Sequence, residues 1–242
     1  MAEDKKRLRL DKLLTELSIG TRSEVKAIIK KGRVQVNGDV CNIPETKIAI
    51  TSDVVAMDGV TLQYAEFEYY MLNKPMGVVS ATRDNHCKTV VDLITTSNRK
   101  DLFPVGRLDR DTEGLLLISN DGALAHELLS PKKHVDKVYY AKVKGCVTEQ
   151  DTNEFADGLV IDEEFTAMPA KLEILSSGDN SEIILTIKEG KFHQVKRMFE
   201  AVGKEVVYLK RISMGSLILD DTLRPGEYRP LTQIEIDSLK RK

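Results

Sequence analysis

The chain has 242 residues, 41% hydrophobic and 31% charged, with a formal net charge of −2 at pH 7. That length buries a core sufficient for one large domain or two unequal ones, and the composition excludes a disordered or uniformly basic polypeptide. Cys41, Cys87 and Cys146 are far apart and odd in number, which argues against a disulfide framework or a C-x-x-C zinc pair and fits a reducing, cytoplasmic setting.

The N-terminus, "MAEDKKRLRLDKLL", lacks the apolar stretch of a signal peptide, and no segment approaches the ~18 apolar residues that cross a bilayer. Neither export nor a membrane partner is expected. "LRLDKLLTEL" places Leu10, Leu13, Leu14 and Leu17 at the i, i+3, i+4, i+7 spacing of one helical face. "TRSEVKAIIKKG" predicts a second helix, with Thr21 and Glu24 as a capping box, Val25, Ile28 and Ile29 as its apolar stripe and Gly32 as its stop. "RVQVNGDV" reads as a strand that turns at Asn37-Gly38.

This unit ends near Leu62, so domains of 1–62 and 63–242 are expected. Between Lys5 and Arg33, ten basic residues stand against three acids, a local charge of +7 that the whole-chain average conceals. Most charge runs are only solvated faces. A threefold basic excess within one small unit instead matches a phosphate backbone, with Arg22, Lys26, Lys30, Lys31 and Arg33 as candidate contacts. Residues 8–38 resemble the S4-type RNA-binding domain, whose pattern "RLDKLL…SRSEAKRLIKKGRVxVNG" they follow nearly throughout.

From about Glu66 the texture changes to longer β-like runs: "FEYYMLNKP", "GVVSA", "GLLLIS", "KVYYAKVKG", "AKLEILS", "SEIILTIKEG" and "EVVYLKRISMG". Helical patterns interrupt them at "GALAHELLS", "TEQDTNEFADG", "KFHQVKRMFEAVG" and "LTQIEIDSLK". The class is therefore α+β, a small N-terminal unit followed by a larger domain with a mainly antiparallel mixed sheet flanked by helices. Strand order is not readable from the pattern.

Several chemistries lack their motifs. No G-x-G and no phosphate-binding loop occurs, His86, His126, His134 and His193 show no H-x-x-x-H spacing, and G-x-S-x-G is missing. No cofactor and no metal site is expected. What remains is carboxylate chemistry in "GRLDRDTEGLLLISNDG", residues 106–122, centred on Asp109, Asp111 or Glu113. Gly106 and Gly114 bracket a loop, "LLLIS" reads as a buried strand, and Asn120 or Asp121 caps the next helix. On composition alone, an exposed turn with surface ion pairs fits equally well.

The same stretch resembles the signature "GRLDxxTxGLLLxTNDG" of the pseudouridine synthases of the RsuA/RluB/RluE/RluF family, departing only at Ser119. The resemblance implies that Asp109 is the catalytic nucleophile. "KVYYAKV" matches the family's K-x-Y-x-V element except at Ala141, which implies that Tyr139 stacks on the target uracil. "EGKFHQVKRMFEAVGKEVVYLKRISMG" matches a third element and makes Lys196 the basic residue paired to the nucleophile, where many relatives have Arg. "NKPMG", residues 73–77, fits the opening of the catalytic domain.

The residues permit plainer readings beside these. Lys196 has an i, i+4 neighbour in Glu200, and a tyrosine in an alternating strand is usually half-buried packing. Phe192, Val195, Met198, Phe199 and Val202 form a helical stripe that leaves Lys196 off it. Arg107 is expected to fill a vacated base stack or hold a phosphate, and Lys191, Arg197, Lys210 and Arg211 to extend the basic track. The expected function is conversion of one uridine to pseudouridine in ribosomal RNA, most like the RsuA type that acts on small-subunit (16S) RNA or its assembly intermediate, by a monomer. The alternatives are a non-catalytic ribosome-assembly factor and, more distantly, a glycoside hydrolase.

Overall fold

A computed structural model describes residues 7–97, 99–163 and 165–241. Their contacts divide them into two compact units, residues up to Glu68 with Thr95–Asp101, and Tyr69–Ile94 with Leu102 onward. The expected division after Leu62 differs from this grouping at 63–68 and 95–101. The reason lies in Arg99, whose buried guanidinium donates to Asp101 Oδ2 (2.6 Å) and to Ala65 O (3.2 Å) and lies over the Tyr64 ring.

In the first unit, β1 (Arg7–Arg9) leads into α1 (Leu10–Glu16) and α2 (Arg22–Lys30). Five short strands follow: β2 (Val34–Val36), β3 (Asp39–Val40), β4 (Lys47–Ala49), β5 (Val55–Met57) and β6 (Val60–Leu62). The capping box forms as the sequence predicts, Thr21 accepting from Glu24 N while Glu24 accepts from Thr21 N. Asn37 and Gly38, at φ 53° and 91°, make the hairpin turn between β2 and β3. Leu10, Leu13, Leu14, Val25 and Ile29 pack with Val34 and Ile48 into the core of this unit.

The second unit is a nine-stranded sheet. Its strands are β7 (Tyr69–Lys74), β8 (Phe103–Val105), β9 (Glu113–Ser119), β10 (Lys137–Lys144), β11 (Lys171–Ser176), β12 (Asn180–Ile187), β13 (Glu205–Met214), β14 (Leu217–Ile218) and β15 (Tyr228–Pro230). The order is β11-β12-β10-β13-β9-β7-β15, with β14 beside β13 and β8 beside β9. Every pairing is antiparallel except that of β13 with β9. Four helices accompany it: α3 (Gly122–Leu129), α4 (Glu149–Asp157), α5 (Gln194–Ala201) and α6 (Gln233–Lys240).

The unbroken apolar run of β9 follows from burial on both faces. Leu116 and Ile118 join the core that holds Phe155 of α4 and Met198 and Phe199 of α5, whereas Leu115 and Leu117 join the one that holds Leu124 and Leu128 of α3. Asp121, not Asn120, caps α3 by accepting from Leu124 N at 3.0 Å. "GVVSA" forms no strand: Gly77 turns at φ 83°, and only Val79 bridges to Thr89. No helix among the described residues is long and apolar enough to cross a membrane.

Gly114 sits where β9 meets β13, paired with Arg211 at φ 100°. A Cβ there would collide with the Arg211 carbonyl oxygen and lie 2.8 Å from Arg211 N. Gly114→Ala is expected to destabilise the fold by about 2–4 kcal/mol, from backbone strain and overpacking together. Gly38→Ala, at φ 91° with nothing within 4 Å of its Cβ, should cost only about 1–2 kcal/mol. Urea denaturation of the two variants checks the difference.

Candidate active site

The loop between Val105 and Glu113 lacks a strand partner, and side chains hold it instead. Lys74, at the end of β7, has no exposed surface; its Nζ donates to Thr112 O (2.9 Å), Pro75 O (3.0 Å) and Arg110 O (3.4 Å). Gly77 N donates to Arg110 O, and Arg110 Nε returns a bond to Gly77 O. Ser80 Oγ donates to Leu108 O (2.8 Å) and accepts from Leu108 N (3.1 Å). "NKPMG" and the serine after it thus form the cradle of the acidic loop. Burial pushes the Lys74 ammonium down from 10.5 to about 8, against the opposing pull of Asp111, Asp109 and Glu113.

Facing this loop is the turn 189–193 and the start of α5. Gln194, buried, ties that turn by accepting from Lys191 N (2.9 Å) and donating to Glu189 Oε1 (2.8 Å). His193 stands at φ 49° just before the helix, and its ring stacks on Phe192 with centroids 3.8 Å apart. Phe192, expected in the apolar stripe, lies outside the helix and is 70% exposed, because the chain turns at His193.

Between the two segments is an open cleft of about 730 Å³, lined among others by Ser80, Arg107, Asp109, Lys191, Phe192 and His193. A hollow of about 60 Å³ adjoins it, and Asp109, Thr112, Tyr139, Lys196 and Leu209 line it. Asp109, Tyr139 and Lys196 therefore meet at one place, although they are far apart in the chain. Tyr139 is buried on β10.

Lys196 forms the expected ion pair with Asp109 and divides its contacts with a second acid. Its Nζ donates to Asp111 Oδ1 and Oδ2 at 2.6 and 2.7 Å and stands 3.8 Å from Asp109 Oδ2, an ion-pair separation rather than a hydrogen bond. The turn closed by Thr112 N on Asp109 O brings both carboxylates to the same ammonium. The bonds from Lys196 hold the Asp111 carboxyl below its usual range, against the burial that would raise it. On its other side, Asp109 Oδ1 is 3.6 Å from His193 Nε2. The third acid of the loop, Glu113, accepts from Tyr208 Oη at 2.6 Å.

Sequence reasoning left His193 without a role and named Asp111 only as an alternative to Asp109, not as its neighbour on one cation. His193 lies three residues before Lys196, one helical turn away, and that spacing was the available signal. Glu200 does not take Lys196. Of the expected RNA contacts, Arg107 and Lys191 are exposed and line both hollows. Arg197 is instead paired with Asp162 and lies 5.3 Å over the Phe165 ring. Arg211 is 2% exposed, so it belongs to no surface track. In the first unit, Arg33 pairs with Asp58 and Arg22 lies 3.7 Å from Asp11, while Lys30 and Lys31 are exposed. Lys5 and Lys6 of the basic run lie outside the described residues.

Comparison with known proteins matches the loop, the tyrosine strand and α5 to one family model, that of RNA pseudouridylate synthase, over residues 68–201. The chain belongs to this family. An S4 domain model matches residues 8–55. The RNA pseudouridine synthase YtzG of Bacillus subtilis is 49% identical over 96% of this chain and 98% of its own length. The small-subunit pseudouridine synthase A of Haemophilus influenzae is 39% identical over 96% of this chain and 99% of its own. The large-subunit pseudouridine synthase B of Bacillus subtilis is also 39% identical, over 96% and 95%. Among solved structures, a pseudouridylate synthase superposes with a TM-score of 0.67 at 38% identity, covering 96% of this chain and 99% of that one. The pseudouridine synthase fold therefore extends to the sheet and helices described above.

Lys74 gives this loop a pH signature. Its folded value of about 8 lies below the ordinary 10.5, so between these limits the unfolded chain binds more protons and stability rises with pH. The stability of the wild type relative to Lys74→Met should therefore increase by about 3 kcal/mol from pH 8 to 10.5. Denaturant titrations of both proteins across this range test it; a pH-independent difference would contradict the buried ammonium.

Proposed function

We propose that the chain isomerises one uridine of ribosomal RNA to pseudouridine, with Asp109 as the group that acts on the sugar. The observation that carries this reading is the meeting of Asp109, Tyr139 and Lys196 around one hollow beside an open cleft. Isomerisation breaks the bond from uracil N1 to the sugar, turns the base, and forms a bond from uracil C5 to the same carbon. The C5 proton is then lost, and N1 is protonated. No atom is added and no electron is transferred, so side chains suffice.

The sugar develops oxocarbenium character as uracil leaves, and an anion beside the anomeric carbon stabilises it. Asp109 either attacks that carbon or removes a sugar proton; both routes require the ionised carboxylate. Lys196 supplies positive charge 3.8 Å away while its hydrogen bonds go to Asp111. Tyr139 offers a ring face for the base, and its position beside Asp109 suits it to help remove the C5 proton.

A nucleotide stacked in a helix does not reach this hollow, so the target is extruded at a cost of a few kcal/mol. Arg107, exposed between the hollows, takes the vacated stack or a phosphate. Lys30 and Lys31 on the first unit add phosphate contacts that raise affinity without reading sequence. The equal identity to a small-subunit and a large-subunit enzyme leaves the target RNA to local similarity. "EGKFHQVKRMF" and "PGEYRPLT", residues 225–232, resemble the RsuA type, and on that resemblance the small subunit is the proposed target.

Asp109→Asn is expected to lower pseudouridine formation by at least about 10³-fold with RNA binding retained. Lys196→Arg should keep partial activity, since a cation remains beside both carboxylates, and Lys196→Met should lose at least about 10²-fold. Mapping pseudouridine in both ribosomal RNAs from cells with and without the protein identifies the target. Unchanged modification there would leave an RNA-binding factor as the better reading, and full turnover by Asp109→Asn would remove Asp109 as the group that acts on the sugar.

A further inference from the structure

We propose that a second pocket, sharing Tyr139 and Arg107 with the Asp109 hollow, binds a phosphate group of the RNA chain through Lys137 and Arg211. The inference rests on the reading of the chain as an enzyme acting on RNA and names a substrate contact for it.

The pocket encloses about 320 Å³ and is lined by five cations, Arg107, Lys137, Lys188, Lys191 and Arg211, against a single acid, Glu189. That acid is already engaged, since Glu189 Oε1 accepts from Met168 N and Gln194 Nε2, both at 2.8 Å. Lys137 and Arg211 are 7% and 2% exposed. Lys137 precedes Tyr139 by two residues on β10, and Arg211 lies directly across from Tyr139 on β13.

Arg211 donates from Nε to Leu115 O at 2.8 Å, but its Nη2, buried, has no hydrogen-bond partner among the described residues. Among the described residues, Lys137 Nζ reaches one acceptor, Val135 O, at 2.9 Å. A buried guanidinium donor left unpaired is costly, and two buried like charges in one pocket repel. Burial and then the Arg211 charge hold the Lys137 ammonium below its ordinary value, with Asp136 and Glu189 pulling more weakly the other way. An anion with several acceptor oxygens satisfies both groups once the pocket wall yields at the buried Nη2. A phosphodiester is the anion that RNA carries, and one flanking an extruded nucleotide lies within reach of a pocket that shares a wall with the hollow.

The first test is direct binding of inorganic phosphate to the full chain, followed by calorimetry or phosphorus NMR, for wild type, Lys137→Met and Arg211→Lys. Arg211→Lys, which keeps the charge but loses the fork and the Nε bond to Leu115 O, is paired with Lys137→Met, which leaves that bond in place. Melting curves confirm that both variants fold. Wild type is expected to bind phosphate with on the order of tenfold higher affinity than either variant. Equal phosphate binding by the wild type and both folded variants overturns the site.

The second test uses substrate RNA with one neutral methylphosphonate linkage, placed 5′ or 3′ of the target uridine. One of the two positions should lower kcat/KM in the wild type and have no further effect in Lys137→Met. Equal losses in both proteins would overturn an RNA phosphodiester as the occupant. Should wild type form no pseudouridine in any RNA, the functional reading fails, and phosphate titration still judges the pocket by itself.

Discussion

The loop that bears the candidate catalytic acid is organised around one ammonium group with no exposed surface. A loop of this kind has no strand ladder to occupy its carbonyls, and carbonyls left unpaired away from water are costly. Lys74 satisfies those of Pro75, Arg110 and Thr112 together. Burying its charge is itself unfavourable, and it is tolerated because Asp109, Asp111 and Glu113 lie close enough to pull the other way. The acids of the loop and the lysine of "NKPMG" therefore stabilise each other. The acidic density of 106–114, puzzling as surface decoration, has a structural cause in this cation.

A second lysine completes the arrangement from another element, and the way it divides its contacts bears on reactivity. Lys196 gives both short bonds to Asp111 and stays 3.8 Å from Asp109. A carboxylate gripped by two charge-assisted hydrogen bonds has its lone pairs committed and is a weaker nucleophile. Asp109 instead receives a nearby charge with its oxygens left uncommitted by that lysine. Asp111 fixes the ammonium within 3.8 Å of Asp109, so the acid two positions from the expected nucleophile sets where that charge stands.

Much of this was legible in the sequence because local pattern and burial agree. The leucines of α1, the capping box at Thr21 and the doubly buried "LLLIS" of β9 each state their environment directly. "GVVSA" misled because its valines are the wall of a cradle, with Ser80 bonding to the Leu108 backbone rather than joining a ladder. The sharing of Lys196 was hidden for a different reason. Asp109 and Asp111 are the same residue type two positions apart, and only the turn between them shows that they face one cation. Arg197 and Arg211 were indistinguishable from other cations in the sequence, since nothing local marks that one meets Asp162 and the other is buried.

The pieces of the site meet because of one strand. β13 pairs parallel to β9, with Arg211 opposite Gly114, and antiparallel to β10, with Arg211 opposite Tyr139. The carboxylate loop enters β9 immediately before Gly114, so the line Gly114, Arg211, Tyr139 runs from the loop to the tyrosine that lines the hollow. An irregularity between Val138 and Tyr139 in the β10–β13 pairing lies on that line, where a bulge re-aims side chains without ending the sheet. Side chains alternate with a period of two, so a slip of one residue in β13 would turn Leu209 and Arg211 to the opposite face and strip the hollow of its wall. The absence of a Cβ at position 114 permits the register that assembles the site, which ties the integrity of the sheet to its chemistry.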